Sequence, residues 1–274
     1  MMEKPVSRHR MSEELERNSD LEDVWFDFRE CIDDHIREVE TRWENLDDEV
    51  WAKLIIMEKN QRVAKVVLRK PSIAVNNSDH GYNSRGVIGL RGFQNDQRDQ
   101  DTQVTIASVG KGCQLSIDKK GGNINITRLN NKCPIYTSGA GDSFKLIESE
   151  NKIETMFDMK KFLMSLKRES TKTQPNLESF KSRVISVINF GSQEDDQMNQ
   201  PVWLIVINIV ALDLIRARTR RLETRVRRVS SEGCVSGDSR VNTTASSDQD
   251  RSSQPQAHPM SWHLKPPIPP VRNL

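Results

Sequence analysis

Apolar positions follow two different rhythms along the chain. From Leu21 to Leu46 they fall at Leu21, Val24, Trp25, Phe28, Ile32, Ile36, Val39, Trp43 and Leu46, with gaps of three or four apart from the adjacent Val24 and Trp25. That is the helical period, and it predicts an amphipathic helix over residues 19–46 with Ser19 or Asp20 as its cap. The opposite face is mostly acidic. Large side chains of this kind gain about 1.5–3 kcal/mol each on burial, so the stripe is expected to dock. Its own domain, a partner helix and self-association are the three alternatives.

From residue 51 the rhythm changes. Short apolar segments, separated by polar turns, predict strands at 51–56, 62–68, 73–75, 86–90, 104–109, 113–118, 123–128, 135–137 and 144–147. Residues 94–102 read as a loop. Met156, Met159, Phe162, Leu163 and Leu166 predict a helix over 156–168. Residues 180–188 and 202–209 are the last expected strands, with helix again from Leu212. Many short strands with Gly-marked turns indicate a mainly β fold, an antiparallel β-sandwich with helices at its ends. The expected organisation is a structureless segment 1–18, the acidic helix 19–46, the sandwich 47–218, and a tail 219–274 that is first basic and then rich in Ser and Pro. The tail beyond Val229 has few large apolar residues and cannot offset its ordering entropy by burial, so it is expected to be disordered.

Charge sharpens this picture. The net charge is only +2, yet residues 1–50 hold 17 Asp/Glu against 7 Lys/Arg, and residues 216–274 hold 11 Lys/Arg against 5 Asp/Glu. Seven arginines fall between Arg216 and Arg228, including Arg220, Arg221, Arg225, Arg227 and Arg228. Three readings stay open for this basic patch: a solvated helix, a nuclear-import or nucleic-acid patch, or a partner for the acidic helix. No aromatic residue interleaves with the arginines, which argues against stacking on single strands; direct DNA binding is not expected.

The candidate chemistry mostly removes possibilities. Cys31, Cys113, Cys133 and Cys234 form no CxxC pair, and no His lies at metal-ligand spacing. The pattern therefore predicts reduced thiols, no metal and no cofactor. Four of the five histidines, His9, His35, His258 and His263, lie in the head or tail, leaving His80 in the sandwich; this is thin material for acid–base catalysis. Residues 138–144, SGAGDSF, resemble the GAGD motif of ribokinase-type sugar kinases, with Asp142 as the base. Such a motif needs a long α/β chain before it, so a Gly-rich turn is the better account and the chain is not expected to be an enzyme. GKG at 110–112 lacks the Ser/Thr and upstream glycine of a phosphate-binding loop and reads as a turn that exposes Lys111. The apolar run 202–215 has 14 residues and contains Asn208 and Asp213, too short to span a bilayer. The first twenty residues carry no secretory pattern, and cytoplasmic or nuclear placement is expected. Arg227-Arg228-Val229-Ser230 fits a basophilic kinase site, with Ser230 and Ser231 as the phosphorylation candidates. Pro267, Pro270 and Arg272 form PxxPxR, which suits a Src-homology-3 partner.

Six segments in order resemble the second Mad-homology domain of Smad signalling proteins. They are Trp51 with MEKNQRVAKVV, GVIGL at 86–90, VGKGCQLSIDKKGGNINI from 109, NKCPIYTS at 131–138, FKL with MFDMKKFLMSL, and SVINFGS with QPVWLIVINI. The resemblance covers residues 51–215. It implies the Smad/forkhead-associated sandwich and a non-enzymatic protein-interaction module of intracellular signalling, with other signalling or transcription proteins as partners, homo- or hetero-oligomers, and a role in transcription in a TGF-beta-type pathway. It places the partner-binding loops at Lys111 and at Asn189, Glu194 and Asp195. Asn189 stands where Smads carry a phosphoserine-reading lysine, and the loop that follows is acidic. A chain lacking the first Mad-homology, DNA-reading domain, as in the Expansion-like group, is the expectation. The alternatives are a nucleic-acid-binding protein acting through the arginine tail and, more remotely, the sugar kinase using Asp142.

Overall fold

A computed structural model describes residues 15–16 and 24–232, apart from 84, 131, 140, 141 and 195. The chain divides into two units, residues 1–229 and 230–274, and of the second only residues 230–232 are described. The first unit is a sandwich of two antiparallel-rich sheets with helices at its ends.

One sheet contains β1 (Leu15–Glu16), β2 (Ala52–Glu58), β3 (Gln61–Leu68), β9 (Ile135–Gly139), β10 (Lys145–Leu146), β12 (Ile185–Phe190) and β13 (Val202–Asn208). Its order is β1-β3-β2-β13-β12-β9-β10. The other contains β4 (Ser72–Asn76), β5 (Gly81–Asn83), β6 (Val87–Gly89), β7 (Cys113–Ile117), β8 (Ile124–Arg128) and β11 (Ile153–Phe157), ordered β11-β8-β7-β4-β6-β5. The β4–β6 pair is parallel. The first and last long strands, β2 and β13, lie side by side in the middle of the larger sheet, with Leu54 opposite Val206.

Every residue of β2, β12 and β13 is buried. This explains their unbroken apolar runs, since strands covered on both faces lose the alternation of a half-exposed sheet. One face packs on the smaller sheet. The other is covered by α1 (Phe28–Thr41), which buries Cys31, Ile32, His35, Ile36 and Val39. The apolar stripe thus docks on its own domain. The helix starts at Phe28, later than the stripe predicts, because the Asp27 side chain accepts from the Glu30 amide at 2.8 Å and ends the extended segment there. Val24 instead bridges to Gln61, and Trp25 is buried beside the helix.

Polar chemistry fixes α1 in place. Lys53 and Lys65 project from β2 and β3 into the covered face. Glu38 of α1 meets them: Lys65 Nζ is 2.6 Å and Lys53 Nζ 3.7 Å from Oε1, and Arg62 Nη1 is 3.0 Å from Oε2. Burial pushes the Glu38 carboxyl up, but Lys53 and the hydrogen bond from Lys65 outweigh it and hold it below the usual range. Lys181, ahead of β12, adds a tie to Glu40 at 2.9 Å.

Several expected elements differ. The strand expected over 180–188 begins only at Ile185, after the 3-10 turns Glu178–Phe180 and Ser182–Val184. Residues 104–109, expected as a strand, belong to α2 (Gln100–Val109). Val104, Thr105, Ile106 and Val109 favour strand locally. The Asp99 side chain caps the helix by accepting from the Thr102 amide at 2.9 Å, and Thr102, Ile106 and Val109 share its buried face. The helix expected over 156–168 is α3 (Met159–Ser170), capped by Asp158; Met156 belongs to β11, and Leu163 is exposed. The last helix, α4 (Ile209–Glu232), runs on beyond residue 218.

His35 supplies a stability test. Burial, more than any charge, lowers its pKa from 6.5 to about 4, and its Nε2 has no hydrogen-bond partner among the described residues. Between those pH values the unfolded chain takes up a proton that the folded one refuses, so stability falls as pH drops from about 6.5 to about 4. The loss should be on the order of 3 kcal/mol. Urea denaturation of the full chain across this range should show that slope, and His35→Leu should remove the His35 part of it, whatever the variant loses at neutral pH with the Trp25 ring contact.

Candidate interaction surface

Lys111 is exposed in the turn that closes α2. Its neighbours explain the GKG spelling. Gly110 and Gly112 have φ of 56° and 64°, and a Cβ on Gly112 would sit 1.9 Å from the Val75 carbonyl oxygen. Only glycine permits that approach, so the lysine is presented on a fixed turn.

Asn189 is placed differently from the expectation. It lies on β12, opposite Trp203 and Tyr136, and is fully buried. Strand pairing continues one residue beyond it, so it cannot line a loop. Its side chain exchanges two hydrogen bonds with Gln197, at 3.0 and 2.8 Å. Gln200, also buried, donates to the carbonyls of Phe190 and Ser192 at 3.0 and 2.7 Å and accepts from the Glu194 amide at 3.1 Å. Two buried amides thus tie Ser192, Glu194 and Gln197 to the end of β12, which is the role Asn189 fills.

The outer side of that loop is acidic. Glu194 and Asp196 are exposed, and Asp195 lies outside the described residues. Lys59, at the β2–β3 turn, pairs with the capping Asp99 and also feels Asp101 and Glu194. The Lys59 hydrogen bond brings Asp99 down to about 2, and Asp99 in turn raises Lys59. The loop is tied to this corner through Lys59 N–H to the Gln200 carbonyl, 3.1 Å, and Thr102 Oγ1 to the Pro201 carbonyl, 3.4 Å. The N-terminal end of α2 therefore meets the acidic loop, while Lys111 sits past its C-terminal end.

The remaining candidate residues separate from this surface. Arg220 and Arg221 are exposed on α4. Arg225, Arg227, Arg228, Ser230 and Ser231 follow on the same helix, their side chains outside the description, and Pro267, Pro270 and Arg272 lie outside the described residues. Asp142 is exposed in the turn between β9 and β10, its amide bonded to the Gly139 carbonyl at 3.2 Å. No helix N-terminus follows it, so the phosphate-binding geometry of a GAGD kinase motif is not built here. Among the described residues no cluster of His, Cys, Asp and Glu could hold a metal ion, and no helix is long and apolar enough to cross a membrane.

The sandwich carries its loops on a frame whose sequence speaks for its ancestry: residues 49–209, more than half of the chain, match the MH2 domain family. The chain belongs to the MH2 domain family. An MH2 domain is a protein-interaction module in signalling. Among solved structures, this MH2 chain is similar to the crystal structure of STAT2 in complex with IRF9, at 15% identity and a TM-score of 0.47, covering 63% of this chain and 99% of that one. It is also similar to the crystal structure of the Interferon Regulatory Factor 9 IAD domain, at 12% identity and a TM-score of 0.46, covering 66% and 95%. No curated protein matches the chain.

The sequence reading named Lys111 and Glu194 as partner-binding loop residues, and both are exposed. It did not reach the Lys59–Asp99 pair or the amide lock, because neither has a local spelling. The lock is testable. Gln200→Ala leaves two carbonyls and one amide without their partner, at about 1–3 kcal/mol for a buried group. A loss of about 3 kcal/mol in unfolding free energy is expected, with faster amide hydrogen exchange at residues 191–199. An unchanged exchange pattern would remove the lock from the account.

Proposed function

We propose that this MH2 chain is a non-enzymatic interaction module of intracellular signalling, acting in the cytoplasm or nucleus, whose partners dock at the 191–200 loop and the Lys111 turn. Family membership carries the reading. The charge pattern refines it: exposed Glu194 and Asp196 favour a basic partner segment and oppose a phosphorylated one. A link to transcription, in the manner of a TGF-beta-type pathway, belongs to the same proposal. So does association with itself or a related chain without phosphorylation. Ser230 and Ser231 as phosphorylation sites, and Pro267, Pro270 and Arg272 as a Src-homology-3 ligand, extend it into the tail. A nucleic-acid reading would rest on Arg220 and Arg221. It predicts binding that weakens by about 0.9 log units per log unit of salt for each duplex phosphate contacted.

The loop chemistry gives the sharper test. A peptide with two phosphoserines in an SxS arrangement should show no binding that depends on Lys111. Each exposed like-charge contact opposes it by about 1 kcal/mol or less. Calorimetry on the full chain, with phosphorylated and plain peptides and with Lys111→Ala, decides it. Binding that needs both phosphates and disappears in Lys111→Ala would overturn the acidic-loop account.

A further inference from the structure

A cavity of about 360 Å³ lies on the covered face of the larger sheet, away from the 191–200 loop. Its roof is the C-terminal end of α1 and the turn after it, with Val39, Arg42, Asn45, Leu46 and Asp47. Its floor is Lys53 and Val67, directly opposite each other on β2 and β3, with Arg69 just beyond β3. Three cationic side chains therefore line it against one carboxylate, Asp47.

The arrangement is graded from floor to mouth. Lys53 is buried, its side chain 3% exposed, with Nζ 3.7 Å from Glu38 Oε1. Arg42 is half exposed, with Nη1 3.5 Å from the same oxygen. Asp47 and Asn45 are exposed at the rim. Arg69 Nε binds Asp47 Oδ2 at 3.0 Å, yet its Nη1 is buried with no hydrogen-bond partner among the described residues. A buried guanidinium N–H without an acceptor is costly, and its natural complement is an oxyanion. Burial of the Lys53 side chain and of Arg69 Nη1 gives the low-dielectric setting in which charge-assisted hydrogen bonds gain strength.

We propose that this cavity is a binding site for a small oxyanion of the phosphate class, inorganic phosphate or a small phosphate monoester, held by Arg69, Arg42 and Lys53. Nη1 of Arg69 is sealed from the open cavity, so a small turn of the guanidinium about its Nε contact to Asp47 brings it to the anion, and Asp47 orients the fork instead of competing for it. Lys53 supplies charge from the floor, and Asn45 a neutral rim. The site is separate from Lys111 and does not depend on the proposed partner surface. A ligand there would bridge α1 to β2 and β3 and stabilise the folded chain by mass action.

Titration calorimetry of the full chain with inorganic phosphate, phosphoserine and serine, at ionic strength matched with chloride, tests this. Phosphate should bind saturably and serine should not; phosphoserine binding as well shows that the site takes a monoester, and phosphate alone that it takes the free ion. Arg69→Gln and Arg42→Gln should each weaken binding about tenfold, the worth of one charge-assisted hydrogen bond. Lys111→Ala should leave it unchanged. Both arginines are at or near the surface, and a matched circular dichroism melt reports whether each variant is folded. Phosphate heat no greater than that of chloride, equal affinity in a folded Arg69→Gln, or a loss in Lys111→Ala would each overturn the proposal.

Discussion

The structure depends on covering the outer face of β2, β3 and β13. These strands bury almost every residue, so the larger sheet needs a second layer outside the sandwich. That layer is α1, and it is specified by charge as well as by apolar contact. Lys53 and Lys65 lie on the covered face, where an uncompensated ammonium would be costly. Glu38 answers both and reaches Arg62 as well. Apolar contacts make the helix bind; the ionic contacts select its register, since sliding it by one turn would leave two lysines without this carboxylate. Aromatic contacts act in the same direction. Trp25 stands edge-on to His35 with centroids 4.7 Å apart, the Phe28 ring lies 5.8 Å from Trp203, and Arg216 of α4 caps Trp43 at 4.1 Å.

One corner of this frame carries the loop proposed above for recognition. Trp203, covered by α1, donates to the Lys59 carbonyl at 2.8 Å. Lys59 then donates to Gln200, whose side chain shapes the acidic loop. A chain of buried groups thus runs from the covered face of the sheet to the exposed loop. An interaction module gains from such rigidity, because a preformed loop loses less conformational freedom on binding.

The elements legible in the sequence were those whose spelling is local. Continuous apolar runs marked β2, β3 and β13, and the three-four spacing marked α1. The start of α1 was misplaced because Val24 and Trp25 keep the stripe going while Asp27 breaks the backbone. Residues 104–109 looked like a strand because four of them are β-branched; the cap at Asp99 and the buried side of Ile106 override that preference. Asn189 looked like a loop residue because its role was carried over by position, whereas pairing with Trp203 and Tyr136 makes it strand. The cavity of Arg42, Lys53 and Arg69 had no local signal at all. Its three cations come from a helix end, a strand and the segment after another strand, and only the register of β2 with β3 brings them together.

Glu38 makes α1, which lies ahead of the matched residues 49–209, a structural layer of the sandwich and not an arm that comes and goes. Native-state hydrogen exchange of the full chain measures this directly. The account predicts that amides of Cys31 to Thr41 open with the same free energy as those of β2 and β13. It also predicts that Glu38→Gln, which leaves two buried lysines without their carboxylate, lowers this protection by about 3 kcal/mol. Opening of α1 far below the global unfolding free energy, with β2 and β13 still protected and no effect of Glu38→Gln, would contradict it.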